Sequence, residues 1–437
     1  MSRQIENPVS RRAVITAGVG AVVGFPTIVH ASVLGRGGFT SPSNRITVGM
    51  IGTGKMANDF HLPTLIGFPD VQILAVCDVD TTRRVAAQKR VTSNYDKQGH
   101  AGRQVDIYND FRDIIARKDI DSVCIATPEH WHAIPIIEAA KAGKDIYCEK
   151  PMTLTLLEAK RCIDAVRKHK RVMQTGSQQR SNVFGDFRQA CEFIRSGRIG
   201  DVKQVTVGVG GPSRRCDLPG ETLEPGLDWD MWLGPAAERP YSSVLSPRGS
   251  HNHFPAWRNY SEFSGGGHAD IGAHMYDIMQ WALGTDASGP VSILPSEDPS
   301  EGQGVKFIMP NGIEITHGGA SGVVFTGTRG MLRIDRGVLF SDPADLIKDP
   351  LGDKEVHLFQ SPGHHRNWLD CIKSRQRCLC DVEIGARSNQ FTQLGNLAYW
   401  HGRKLTWDPI KWEFPGDKEA NTWLDYERRP QWKLPKG

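Results

Sequence analysis

Asp270 and His274 stand four residues apart in Gly265-Gly266-Gly267-His268-Ala269-Asp270-Ile271-Gly272-Ala273-His274-Met275-Tyr276-Asp277, a glycine-led segment that opens an apolar helical pattern. That spacing puts a carboxylate and an imidazole on one helix face. An imidazole titrates near neutrality and can take the proton of a hydroxyl. Far upstream, Glu149-Lys150-Pro151 follows a short apolar run and offers a cation. With a glycine fingerprint nearer the N-terminus, these residue types suggest a nicotinamide-dependent oxidoreductase acting on an alcohol.

The fingerprint is Gly52-Thr53-Gly54-Lys55-Met56-Ala57, placed directly after Ile46-Thr47-Val48-Gly49-Met50-Ile51 and before a helical pattern. Gly52 allows the tight turn, Gly54 lets the backbone approach a pyrophosphate, and Ala57 keeps helix and strand close. The helix N-terminus then faces the phosphates. Asp78 ends the next strand ~24 residues after Gly54, near the position expected of a ribose-binding carboxylate. Asp78 favours a free 2′-hydroxyl and hence NAD. Arg83 and Arg84 keep NADP as the alternative, because either could meet a 2′-phosphate.

These groups need a scaffold, and from Arg45 the chain alternates strand with helix. Strands are expected at Ile46 to Ile51, Val71 to Cys77, Ile107-Tyr108, Ser122 to Ala126, Asp145 to Cys148 and Val172 to Thr175. Helices fall between them at Lys55 to Ile66, Thr81 to Arg90, Asp110 to Arg117, His132 to Ala142 and Leu156 to His169. This order predicts a six-stranded, doubly wound parallel sheet. After Gln178 come a helix near Phe184 to Ser196, a strand at Val202 to Val209, and a Gly/Pro/Trp-rich stretch to Ser264 of the kind that builds pockets and lids. Short strands at hairpin spacing from Val291 to Ser341 predict a second α/β domain with a largely antiparallel open sheet. Two more helices, His365 to Ser374 and Glu383 to His401, follow. The expected organisation is a Rossmann domain at 45–176, an α/β domain for substrate and oligomerisation at 177–402, and a tail at 403–437.

Upstream, Ser10-Arg11-Arg12-Ala13-Val14-Ile15 is a twin-arginine pattern followed by an uncharged run to Val29 and the small-residue site Val29-His30-Ala31. Residues 1–31 are expected to be an export signal and 32–44 a linker or arm. Gly18, Gly20, Gly24 and Pro26 weaken the run as a spanning helix, and it falls short of the roughly 20 apolar residues needed. The formal charge is +4, of which Arg3, Arg11 and Arg12 against Glu6 supply +2. The +2 that remains argues against a nucleic-acid partner. Nine cysteines are scattered without metal-ligand spacing, and Cys77, Cys124 and Cys148 read as buried small residues. His251 and His253 lack a matching third ligand, so no metal is expected.

Taken in order, the fingerprint, Ala126-Thr127-Pro128-Glu129-His130-Trp131-His132, Glu149-Lys150-Pro151 and Gly265 to Asp277 resemble the glucose-fructose oxidoreductase and inositol dehydrogenase family over about residues 45 to 400. The resemblance implies a Rossmann domain followed by an α/β domain whose open sheet often forms the interface of a homodimer or homotetramer. It implies oxidation or reduction of a sugar, sugar acid, cyclitol or glycoside with a nicotinamide cofactor, expected to be tightly held NAD. Lys150, Asp270 and His274 match its active-site lysine, aspartate and histidine. His274 would accept the hydroxyl proton, Lys150 would stabilise the alkoxide, and Asp270 would orient the imidazole or hold a hydroxyl. Thr127, Pro128 and His132 would shape the nicotinamide half of the pocket, beside Glu149. Arg180, His253, Trp257, Arg258, Tyr260 and His268 lie in the regions expected to contact a sugar. Two other functions fit the same motifs: a redox-neutral NAD-dependent glycosidase with transient sugar oxidation, and a noncatalytic dinucleotide or sugar sensor. Because free NAD is scarce outside the cytoplasm, a periplasmic enzyme would have to recycle its cofactor in place.

Overall fold

In the computed structural model, the described residues are Ser41, 44–99 and 103–437. The twin-arginine segment and nearly all of the linker lie outside them. Among the described residues no helix is long and apolar enough to cross a membrane.

The first domain is built on six parallel strands: β1 (Ile46–Ile51), β2 (Val71–Cys77), β3 (Asp106–Tyr108), β4 (Ser122–Ile125), β5 (Asp145–Cys148) and β6 (Met173–Thr175), in the order β3-β2-β1-β4-β5-β6. Every residue of β4 and β5 is buried, as continuous apolar strands must be when helices cover both sheet faces. The order reverses between β1 and β4, and their carboxyl ends open the crevice in which such sheets bind ligands. The helix Thr81–Lys97 runs beyond its expected end because Val91 and Tyr95 continue its buried stripe. The first crossover helix keeps its expected bounds, Lys55 to Ile66, but it is not regular: a π-helical turn spans Ala57–His61 and α-helix resumes at Leu62–Ile66. The wider turn advances the side chains that follow it, and His61 ends up fully buried beneath the sheet's carboxyl edge.

The second domain holds β7 (Val202–Gly208), β8 (Ser292–Leu294), β9 (Lys306–Ile308), β10 (Glu314–His317), β11 (Gly322–Gly327), β12 (Gly330–Asp335), β13 (Val338–Asp342) and β14 (Leu405–Thr406). Their order is β13-β12-β11-β7-β10-β9-β8-β14, antiparallel throughout except for the parallel pair β7 and β10. One face buries Val205, Val207, Phe325, Leu332 and Ile334. The helices Gly272–Leu283 and Val382–His401 pack against each other behind it. The opposite face is mixed: Gln204, Thr206 and Thr326 alternate with the buried set and Lys306 pairs with Glu314 at 3.2 Å, while Val338 and Phe340 on β13 are exposed on the same side.

The stretch after Gly402 is not a loose tail. It supplies β14, buries Trp407, Trp412, Phe414 and Trp432, and places Arg428 2.6 Å from the buried Glu158 at the start of the helix Leu156–Lys168. The Gly/Pro/Trp-rich stretch likewise forms a small core of its own, in which Trp232, Tyr241, Leu245, Tyr260 and Phe263 pack together.

Candidate active site

At the carboxyl ends of β1, β2, β4 and β5 the two domains enclose a cavity of about 360 Å³. Gly52 follows β1 with φ +84°, and a Cβ there would lie 2.8 Å from the Ala126 and Thr127 backbone. Only glycine fits that crossing of two strand ends. A Cβ on Gly54 would meet nothing within 4 Å, so the backbone is open on the cavity side, where a pyrophosphate needs to approach. Asp78 fixes this turn: its Oδ2 accepts from Thr53 N at 2.8 Å and Thr53 Oγ1 at 3.1 Å, and its Oδ1 from Asp80 N at 2.9 Å. Lys55 and Met56 line the cavity, with Lys55 paired to Asp59, whereas Thr53 and Ala57 lie behind the wall. The glycine turn, the carboxylate at the tip of β2 and the volume fit a dinucleotide.

Arg83 borders the cavity, but its guanidinium is committed. It donates to Gly249 O at 3.2 Å, to Ser246 Oγ at 3.3 Å and to Pro247 O, clamping the 246–249 loop onto the first domain. Arg84 donates to Asp78 O at 2.9 Å, Asn109 Oδ1 at 3.0 Å and Thr81 Oγ1 at 2.8 Å.

Beyond β4 and β5, Thr127, Pro128, His132 and Glu149 line the inner wall. His132 faces Pro151 O at 2.8 Å with Nδ1 and Thr127 O at 3.0 Å with Nε2, tying the two strand-end loops together. Both nitrogens are occupied by backbone, which suits a wall residue rather than a proton carrier. The Glu149 carboxylate accepts from Gln178 Nε2 at 2.7 Å and lies 3.1 Å from His61 Nε2. Burial works against its charge, yet His61 and Lys150 hold its pKa below the ordinary value.

Lys150 reaches across the domain boundary. Its Nζ donates to Asp270 Oδ1 at 2.7 Å and to Asp270 O at 2.6 Å. Burial raises the Asp270 carboxyl, but the Lys150 ammonium and the Arg258 guanidinium, 3.5 Å away, outweigh it and hold the pKa at about 2. Asp270 ends the helix Gly266–Asp270, and His274 sits in the first turn of the helix Gly272–Leu283. Burial, then the charges of Lys150 and Arg336, push the His274 imidazole well below its ordinary pKa, so it is neutral at pH 7. Its buried Nδ1 has no hydrogen-bond partner among the described residues. The carboxylate thus fixes the ammonium, and the imidazole stays free to take a proton.

Trp257 and Arg258 line the cavity, with the guanidinium 4.2 Å from the indole centroid. The other expected sugar contacts do not reach it. Arg180 is fully buried and its donors are consumed by Asp277 at 2.8 Å and Asp286 at 2.7 Å. His268 is enclosed by His317, Tyr276 and Tyr399, and burial keeps it neutral. Tyr260 packs in the small aromatic core. His253 stays outside the wall, its carbonyl facing His251 Nδ1 at 2.8 Å while His251 lines the cavity. Residue type marked these four as sugar contacts, but committed partners or neighbours decide otherwise. Sequence reasoning in turn missed Gln178, Phe184 and Arg336, which line the cavity, and His61, which lies buried behind the wall against Glu149. A distant hairpin brings Arg336 in and a π-helical turn sets His61 against Glu149, and neither leaves a local motif.

Residues 46–177 match the family model described as "Oxidoreductase family, NAD-binding Rossmann fold", and residues 212–434 match its partner, "Oxidoreductase family, C-terminal alpha/beta domain". The chain belongs to the Gfo/Idh/MocA oxidoreductase family. Its first domain is the family's NAD-binding Rossmann fold. Among curated relatives, inositol 2-dehydrogenase of Salmonella typhimurium is 32% identical over 162 residues, 37% of this chain and 44% of that protein. The rhizopine catabolism protein MocA of Rhizobium meliloti is 24% identical over 65% of this chain and 72% of that protein. The chain thus spans under half the length of the first curated relatives it matches. The fold is shared with aldose-aldose oxidoreductase of Caulobacter crescentus, with a TM-score of 0.55 and 18% identity over 83% of this chain and 99% of that one. It is shared also with the WlbA dehydrogenase of Bordetella pertussis, solved with NADH and UDP-GlcNAcA, with a TM-score of 0.57 and 17% identity over 84% of this chain and 98% of that one.

Proposed function

We propose that this protein is an NAD-dependent dehydrogenase or reductase that moves a hydride between the nicotinamide and a hydroxyl-bearing carbon of a sugar, cyclitol or glycoside. The observation that carries the reading is the convergence of Lys150, Asp270 and His274 on the cavity that also contains the Gly52–Gly54 turn and Asp78. NAD is favoured over NADP because Arg83 and Arg84 already have acceptors, and Asp78 would repel a 2′-phosphate.

A bound nicotinamide would accept the hydride in one direction and return it in the other. The protein's part is proton transfer and charge stabilisation. In oxidation, neutral His274 takes the hydroxyl proton as the carbon loses its hydride. The Lys150 ammonium has three donors, of which Asp270 takes two, and the third serves the alcohol oxygen as it becomes an alkoxide. Asp270 keeps that ammonium in place, and reduction runs the same transfers backwards.

The test is a substrate panel followed at the reduced-nicotinamide absorbance, with His274→Ala and Lys150→Met as controls. Each variant should lose roughly 100-fold or more in kcat/KM while still binding NAD. Full activity in both would remove the assignment. Aglycone released without net NADH would replace it with the glycosidase reading.

We also propose export by the twin-arginine route, on the strength of Arg11-Arg12 and the uncharged run that follows. Cell fractionation should find a mature chain lacking the first ~31 residues outside the cytoplasm. A homodimer or homotetramer formed through the open face of the second sheet is a separate proposal, read by light scattering.

A further inference from the structure

The nicotinamide end of the cavity carries more positive charge than a neutral sugar requires. Three carboxylates line the cavity among the described residues, and two are committed elsewhere: Asp78 to the glycine turn, Glu149 to Gln178 and His61. Only Asp270 remains, and it faces Lys150 at 2.7 Å and Arg258 at 3.5 Å. Arg336 is a third cation on the same wall, near enough to His274 to depress its protonation. With His274 neutral, three cations stand against one carboxylate.

Arg336 is built into this place. It sits in the tight turn between β12 and β13, and Gly337 N donates to Phe184 O at 3.0 Å, which ties that turn to the cavity's rim. Its guanidinium lies 5.0 Å from the Phe184 ring centroid, an arrangement that leaves the donor edges of the fork free. The adjacent Asp335 does not neutralise it: that carboxylate accepts from Ser321 Oγ at 2.7 Å and from the Arg336 backbone N–H at 2.7 Å. No acceptor meets the Arg336 guanidinium among the described residues. Arg258 is similarly underused, donating to Pro255 O at 3.2 Å and approaching Asp270 only loosely. The pyrophosphate position is at the Gly52–Gly54 turn, whereas Arg258 shares Asp270 with Lys150 and Arg336 acts on His274, so both arginines belong with the catalytic groups.

We infer that the substrate is a sugar acid, a uronate or aldonate whose carboxylate is received by Arg336 together with Arg258, while its reacting hydroxyl lies against Lys150 and His274. This rests on the oxidoreductase reading and narrows its substrate class. A planar guanidinium matches a carboxylate with two parallel hydrogen bonds, and such charge-assisted pairs are the strong ones. The recognition also fixes which carbon is presented, since one end of the molecule is clamped.

The experiment compares glucuronate, galacturonate and gluconate with glucose, galactose and myo-inositol on the full chain with NAD, in wild type and in Arg336→Gln. Because Arg336 is exposed on a turn, the variant should fold. The acids should exceed their neutral counterparts in kcat/KM by about 10-fold or more, and Arg336→Gln should lower the acids' values, through KM, about 10-fold further than those of the neutral sugars. Neutral sugars preferred over acids, or an equal loss for both classes, would overturn the inference and leave hydride transfer intact. If NAD binds and no sugar reacts, the oxidoreductase reading fails, and binding of the same sugars to the NADH-loaded protein, read by nicotinamide fluorescence, decides the inference. Acid binding weakened in Arg336→Gln would sustain it, and indifference to the carboxylate would overturn it.

Discussion

Removing the charge of Asp270 probes the site's electrostatics most sharply. Holding that carboxyl at about 2 instead of its ordinary 3.8 stabilises the folded protein by about 2 kcal/mol at neutral pH. The side chain is only a quarter exposed, so solvent screens the pair weakly. Asp270→Asn leaves Lys150 and Arg258 facing each other without the intervening charge, and Lys150→Met leaves Asp270 with Arg258 alone. If the direct pair carries the interaction, a double-mutant cycle on urea unfolding should return a coupling of about 2 kcal/mol. The pH dependence follows in sign. A depressed carboxylate pKa gives stability that is fully present above the unfolded value and is lost as pH falls through the folded one. The gap between wild type and Asp270→Asn should therefore be flat from pH 8 to about pH 5 and narrow below about pH 4. Coupling under about 0.5 kcal/mol, or a gap that varies between pH 5 and 8, would refute the reasoning.

Other expectations follow from single contacts. Gly52→Ala forces a Cβ against the Ala126 and Thr127 backbone and should abolish NAD binding as measured by calorimetry, whereas Gly54→Ala, with open space, should fold normally and weaken NAD by crowding the pyrophosphate. Arg180→Met should cost about 3–5 kcal/mol in unfolding because it strands Asp277 without charge compensation, and should leave KM for sugar nearly unchanged in whatever fraction stays folded. Because His274 is held neutral, the acid limb of kcat/KM for oxidation should lie well below pH 6.5, and a limb at or above 6.5 would argue against His274 as the base.

Much of this molecule was legible in its sequence because the relevant signals are local. β1, β2, β5 and β12 begin and end where the apolar runs do, and the six parallel strands follow from their alternation with helices. Lys150, Asp270 and His274 could be singled out because a strand end, a helix start and a four-residue spacing dictate where their side chains go. What was not legible depends on partners. Arg180, His268, Tyr260 and His253 have the residue types of sugar contacts, but a guanidinium answers to its carboxylates and an imidazole to its neighbours, and those come from remote parts of the chain. The helix after the glycine turn was legible in its bounds, but only the structure reveals the π-helical turn within it that buries His61 against Glu149. Arg336 enters from a hairpin nearly seventy positions beyond Asp270, with no motif around it.

The central claim is that this cavity passes a hydride between nicotinamide and a sugar carbon, and isotope transfer tests it most directly. Full-length protein is incubated with NADH deuterated at C4 and a panel of keto-sugars and keto-sugar acids, and the products are weighed by mass spectrometry. The account predicts deuterium on one carbon of one product class, absent in His274→Ala. Bound deuterated NADH that never surrenders its label to any carbohydrate would contradict it.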